Sequence, residues 1–132
     1  MISRVAIIGL GAAARAIHLP AIRKLSQLQI VGGYDPRPSF EVPFPLFSSV
    51  EELLVRSKPD LLVIATPPSS HFELVRAGLA AGCHVFCEKP LAESLSEARE
   101  LSALAKAAGR SVFVNSEFPW MPIHSAAKNA MS

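Results

Sequence analysis

The run Val5-Ala6-Ile7-Ile8-Gly9-Leu10-Gly11-Ala12-Ala13-Ala14 decides how the rest of this chain is read. Val5 to Ile8 is short, β-rich and apolar on both faces, the pattern of a strand buried inside a parallel sheet. Gly9 ends it. Ala12 to Leu25 then reads as a helix with a kink or break before Pro20. The turn between strand and helix is G-x-G-x-x-A. Gly9 permits the tight turn. Gly11 lets the backbone approach a pyrophosphate, because a Cβ there would collide with it, and Ala14 is small enough for close helix–strand packing. The first helical residues, Ala12 and Ala13, bring free N–H groups and a partial positive charge to the anion.

Working outward, the same alternation repeats. Leu28 to Tyr34 contains a second strand, ended by Asp35. Pro36, Pro38, Pro43 and Pro45 make the next stretch a loop, with a very short strand at Leu46-Phe47. Ser48 with Glu51 has capping-box spacing and opens a helix. Leu61 to Ala65 is another apolar strand, stopped by Thr66-Pro67-Pro68. Ser70 with Glu73 repeats the box, and that helix runs to Ala81 and closes at Gly82. Cys83 to Cys87 is the next strand. Ser94 with Glu97 opens a helix burying Leu95, Ala98, Leu101, Ala105 and Ala108, which stops at Gly109. Ser111 to Val114 is the last strand, and a final helix is expected from Pro122. The sum is a single three-layer α/β domain: a mostly parallel six-stranded sheet, doubly wound, with helices on both faces.

Asp35 stands 21 residues after Ala14, where a carboxylate accepts hydrogen bonds from the adenosine ribose of a dinucleotide. It repels a 2′-phosphate and so favours NAD. Arg37, two residues on, could pair with that phosphate, which keeps NADP open.

Composition excludes several other classes. Half of the 132 residues are hydrophobic and 18% are charged, which excludes a disordered chain. A formal net charge of +2 is too balanced for a nucleic-acid or membrane-surface protein. No run reaches the ~18 apolar residues of a membrane span. Arg4 before the apolar run and Ala14-Arg15-Ala16 after it imitate a signal peptide, but the two glycines suit a strand and turn better. Cys83 and Cys87 on one strand would lie roughly 13 Å apart, beyond the ~7 Å that a disulfide spans. Their spacing supports no metal site. Two buried thiols suit a reducing compartment, so a cytoplasmic location is expected.

Three further motifs are not generic to dinucleotide folds. They are His18-Leu19-Pro20-Ala21, Ala65-Thr66-Pro67-Pro68 with His71, and Glu88-Lys89-Pro90. Together with Gly9-Leu10-Gly11, their order and spacing resemble the N-terminal, Rossmann-type half of the glucose–fructose oxidoreductase / inositol dehydrogenase family (Gfo/Idh/MocA). The resemblance covers about residues 3–115. It implies an NAD(P)-dependent oxidoreductase acting on a sugar, polyol or related carbonyl. It puts Thr66 and Pro67 beside the ribose and pyrophosphate, His71 near the nucleotide, Glu88 by the nicotinamide ribose, and Lys89 near the nicotinamide and substrate. A lysine ammonium there can polarise a substrate oxygen as charge develops, which makes Lys89 the catalytic candidate. Pro90 restricts Lys89 to extended backbone angles.

The chain departs from the family pattern in two ways. Asn115-Ser116-Glu117-Phe118 lacks the arginine that often follows the last strand in the family. The family chain also continues into an α/β substrate domain that carries a catalytic histidine and much of an oligomer interface. The expected division is therefore 1–117 as nucleotide-binding domain and 118–132 as the start of the connection to that second domain. Two other readings are a stand-alone dinucleotide-binding module and a degenerate oligomerisation domain. The apolar segment Phe118-Pro119-Trp120-Met121-Pro122-Ile123 points to a homo-oligomer.

Overall fold

The computed structural model describes residues 1–116 and 129–130. Among these residues, β1 (Arg4–Ile8), β2 (Gln29–Tyr34), β3 (Leu61–Ile64), β4 (His84–Glu88) and β5 (Val112–Asn115) form one sheet. Every pairing is parallel, and the order is β2-β1-β3-β4-β5. The expected six strands are thus five among the described residues. Leu46 makes a single parallel bridge to Gly33 on the outer side of β2 and goes no further. The neighbouring Pro43 and Pro45 have no N–H to extend a ladder. What survives is a pair of bonds: Gly33 N–H donates to the Pro45 carbonyl at 2.9 Å and Phe47 N–H to the Gly33 carbonyl at 3.0 Å.

The first helix does not break before Pro20. Residues 12 and 13 are already helical. A π-turn over Ala14–His18 follows and runs into α1 (Leu19–Arg23). Leu19 N–H reaches back five residues to the Ala14 carbonyl. The wider turn takes in Pro20, which has no N–H of its own, without ending the helix.

α2 (Val50–Ser57), α3 (His71–Ala80) and α4 (Leu95–Ala108) follow β2, β3 and β4. Ser49, rather than Ser48, caps α2: its hydroxyl accepts from Glu52 N–H at 3.0 Å. The Glu52 carboxylate returns to Ser48 N–H at 2.9 Å, so the capping pair sits one residue beyond the expected one. Ser94 caps α4 as expected, accepting from Glu97 N–H at 3.2 Å. Ser70 makes no cap. A 3-10 turn, Pro68–Ser70, precedes α3, and the Ser70 hydroxyl donates to the Pro67 carbonyl at 2.8 Å instead.

Two cores flank the sheet. On one face Ala6, Ile8, Leu62, Ile64 and Val85 meet Leu53 of α2, Val75 and Leu79 of α3 and Leu101 of α4. On the other, Val5, Ile7 and Val63 meet Leu10, Ala14, Leu19 and Ile22. Helices therefore lie on both faces, in three layers. Each fully buried aliphatic side chain contributes about 1.5–3 kcal/mol. α4 buries Leu101 and Ala105 but leaves Leu95 and Ala108 exposed, so its buried stripe is narrower than the spacing suggested. Among the described residues, no helix is long and apolar enough to cross a membrane. The expected helix from Pro122 and the Phe118–Ile123 patch lie outside the described residues.

Cys83 and Cys87 are free and buried. Burial pushes both thiols up, Cys87 to about 12, with the Glu88 carboxylate adding to the burial effect there. Thiolate is the reactive form. An aromatic disulfide reagent at about pH 8 is therefore expected to label neither cysteine in the folded chain and both in strong guanidinium. Stoichiometric labelling of the folded chain would contradict this burial.

Candidate functional site

β1 is flanked by β2 on one side and β3 on the other, so the strand order reverses at its carboxyl end. A crevice opens where the loops leaving β1 and β3 diverge, the general location of ligand sites in open α/β sheets. Here it is a cleft of about 390 Å³ lined by Gly9, Gly11, Asp35, Thr66, Pro67 and Ser70 with neighbouring apolar side chains. A larger groove of about 560 Å³ runs between the outer faces of α3 and α4, along Ala77, Ala80, Leu104 and Ala108. It includes none of the loops that follow the strands, and its two charged side chains, Glu73 and Arg76, pair with each other at 3.2 Å, so the cleft is the candidate site.

The two glycines of the turn have different reasons to be glycine. Gly9 has φ +90°, and a Cβ on it would stand 2.5 Å from the Ala65 carbonyl oxygen and 2.9 Å from Thr66 N. It is there so that the β1 and β3 loops can touch. Gly11 has nothing within 4 Å of the place its Cβ would occupy. Its missing side chain leaves open cleft, the room that a pyrophosphate lying against the backbone requires. Ala12, exposed, and Ala13, half-buried, start the helix beside that space.

Asp35 follows β2 and turns its carboxylate into the turn. Leu10 N–H donates to Oδ2 and Arg37 N–H to Oδ1, both at 2.7 Å. Each oxygen keeps a lone pair for a further donor such as a ribose hydroxyl. The charge is thus fixed at the cleft edge by two backbone amides. Arg37 is exposed and is not among the residues lining the cleft. The residues present therefore fit a dinucleotide: an open backbone at Gly11, a helix start, and an anchored carboxylate.

The opposite wall is a knitted loop. Ser70 spends its proton on the Pro67 carbonyl, so the Thr66 hydroxyl donates to Ser70 Oγ, at 2.6 Å. Ser70 has the spacing of a helix cap, but its hydroxyl serves this loop instead. The signal was present, since Thr66 and Ser70 are four residues apart across a Pro-Pro turn. His71 is fully buried behind the loop, with Nε2 at 2.8 Å from the Thr66 carbonyl and Nδ1 at 2.6 Å from the Pro90 carbonyl.

One strand further along, Glu88 ends β4 and Lys89 follows it. Lys89 is exposed, and the structure does not bring it into the lining of the cleft. Its neighbour is firmly held. His18 Nε2–H donates to Glu88 Oε1 at 2.7 Å, and Asn115 Nδ2–H donates to the same oxygen at 2.8 Å. His18 also stands edge-on to Phe86, with ring centroids 5.8 Å apart. These partners are 70 and 27 residues from Glu88 and could not be paired by reading along the chain. Among the described residues, no three His, Cys, Asp or Glu side chains gather as a metal site.

Comparison with known proteins agrees with this geometry. Residues 3–116 match the family described as GFO_IDH_MocA, oxidoreductase family, NAD-binding Rossmann fold. The uncharacterized oxidoreductase YdgJ of Escherichia coli (strain K12) is 40% identical over 119 residues, covering 85% of this chain and 34% of that protein. D-glucoside 3-dehydrogenase of the same strain is 32% identical over 114 residues, covering 81% of this chain and 32% of that protein. Among solved structures, D-galactose-1-dehydrogenase from Rhizobium etli superposes with a TM-score of 0.90 at 32% identity, covering 99% of this chain and 43% of that one. The chain spans about a third of the length of these curated relatives. Since the matched span takes in the sheet, the glycine turn and both loops of the cleft, the chain belongs to the Gfo/Idh/MocA family of oxidoreductases, whose NAD-binding Rossmann fold its residues 3–116 form.

Proposed function

We propose that this chain is the nucleotide-binding part of an NAD(P)-dependent oxidoreductase that moves hydride to or from a sugar, polyol or related carbonyl or hydroxyl compound. One observation carries the reading: the open side of Gly11 and the anchored carboxylate of Asp35 line the same cleft. Gly9, Gly11, Ala12 and Ala13 would hold the pyrophosphate and Asp35 the adenosine ribose. Thr66, Pro67 and His71 would form the wall, with Glu88 and Lys89 at the nicotinamide end. The sugar class is supported by relatives named D-glucoside 3-dehydrogenase and D-galactose-1-dehydrogenase.

When bound, the nicotinamide gives or takes the hydride. Lys89 would polarise the substrate oxygen, stabilising the charge that develops on it. In the oxidative direction a hydride leaves carbon and a proton leaves the hydroxyl. An ammonium cannot take that proton, and the family resemblance assigns the acceptor to a histidine of a substrate-binding domain beyond the 1–117 unit. The relatives' greater length supports this division. A homo-oligomer and a cytoplasmic location belong to the same reading and rest on the sequence alone.

A paired titration with NADH and NADPH, followed by nicotinamide fluorescence, tests the proposal. NADH is expected to bind in the micromolar range and NADPH about tenfold more weakly, because the Asp35 charge opposes a 2′-phosphate. Tighter binding of NADPH would reverse the cofactor preference. Binding of neither would end the reading. Sugar or polyol turnover by the 132-residue chain alone is expected to be very weak or absent.

A further inference from the structure

We propose that His71 is a positioning residue whose ring clamps the Thr66 side of the cleft to the loop carrying Lys89. The proposal rests on the reading of the cleft given above. β3 and β4 are paired in register as far as Ile64 and Cys87. Thr66 lies two residues past the end of β3 and Pro90 two past the end of β4. Beyond the ladder, His71 supplies the missing rung, joining the Thr66 carbonyl at 2.8 Å to the Pro90 carbonyl at 2.6 Å.

Carbonyl oxygens only accept. The ring that reaches both of them is fully buried between the two loops, so solvent does not compete for either contact. Lys89 is then pinned through both of its neighbours. On one side His18 and Asn115 hold the Glu88 carboxylate, and on the other His71 holds the Pro90 carbonyl. The Thr66–Pro67 loop and the Lys89 loop would move as one body.

Two measurements on the 132-residue chain test this. Nitrogen-15 spectra of the wild-type side chains, without cofactor, are expected to show a His71 ring N–H that is slow to exchange with solvent. A fast-exchanging ring N–H would overturn the clamp, and that result needs no variant to fold and no dinucleotide to bind. The second measurement is NADH affinity in His71→Gln and His71→Asn. The glutamine amide reaches the position of Nε2 and keeps the Thr66 bond, while the asparagine amide reaches that of Nδ1 and keeps the Pro90 bond. Each variant is expected to lose about tenfold in NADH affinity, the size expected when one of the two bonds goes. A merely structural His71 would shift the melting midpoint and leave affinity unchanged, and that outcome would overturn the proposal. A wild-type chain that binds no NADH would instead overturn the cleft reading, with the ring spectrum still deciding the clamp.

Discussion

Gly9→Ala is expected to destabilise the chain by about 3 kcal/mol or more. Two independent costs combine. The residue has φ +90°, where an L side chain is strained by about 1–3 kcal/mol. The new methyl would also sit 2.5 Å from the Ala65 oxygen, 2.7 Å from the Ala65 carbonyl carbon and 2.9 Å from Thr66 N. All three are backbone atoms, so no side-chain rotation relieves the contact. Retreat is blocked as well. Gly9 N–H is bonded to the Tyr34 carbonyl at 2.9 Å, and Ala65 N–H to the Ile8 carbonyl at 2.8 Å. Moving Gly9 away loosens β1 from β2, and moving Ala65 loosens β3 from β1. Domains of this size are stable by only about 5–15 kcal/mol. The loss should appear as a fall of roughly 10 °C in melting midpoint. Circular-dichroism melts and urea titrations of both chains would check it, and a midpoint within about 2 °C of wild type would refute the argument.

Much of this fold is legible along the chain because its strands and helices follow simple local rules. Ile7 and Ile8 face opposite cores, so an unbroken apolar run marks a strand covered on both sides. Leu46-Phe47 departs from expectation for a local reason too: it has the composition of a strand, but its proline neighbours cannot complete a ladder. The α2 cap was misplaced because Ser48-Ser49 and Glu51-Glu52 double both halves of the box. Either pair has the right spacing, and the structure uses the second.

The candidate site divides along the same line. Gly9, Gly11 and Asp35 could be placed from spacing, because a strand, a tight turn and a helix bring them together over short distances. The roles of His18 and His71 could not. The motif around His18 names no partner for it, and β4 delivers Glu88 to it across the sheet. The resemblance puts His71 near the nucleotide, and its contact with the Pro90 carbonyl arises only because the loop after β4 closes over it. Both histidines are buried, and their partners are set by sheet order, which no short-range pattern records.

Gly11→Val separates binding from folding, and it should leave stability within about 0.5 kcal/mol of wild type while costing at least about a hundredfold in NADH affinity. The stability half follows from open space: a Cβ at Gly11 meets nothing within 4 Å, and its φ lies outside the left-handed region. The binding half follows from the same space. A pyrophosphate that accepts hydrogen bonds from the turn must come within about 3 Å of its backbone N–H groups. An isopropyl group over Gly11 occupies that approach. The phosphates would then have to stand off, losing the amide bonds and the field of the helix start together. A hundredfold loss is about 2.7 kcal/mol, no more than a pair of charge-assisted hydrogen bonds supplies. Fluorescence titration with NADH and a thermal melt of the same sample would measure both halves. Affinity within threefold of wild type would mean that no phosphate lies against Gly11, and the cleft would have to be assigned another ligand. A large drop in stability would mean that Gly11, like Gly9, is a folding residue. Set beside Gly9→Ala, the variant asks which glycine of the turn serves the sheet and which serves the ligand, a distinction that the G-x-G spacing does not contain.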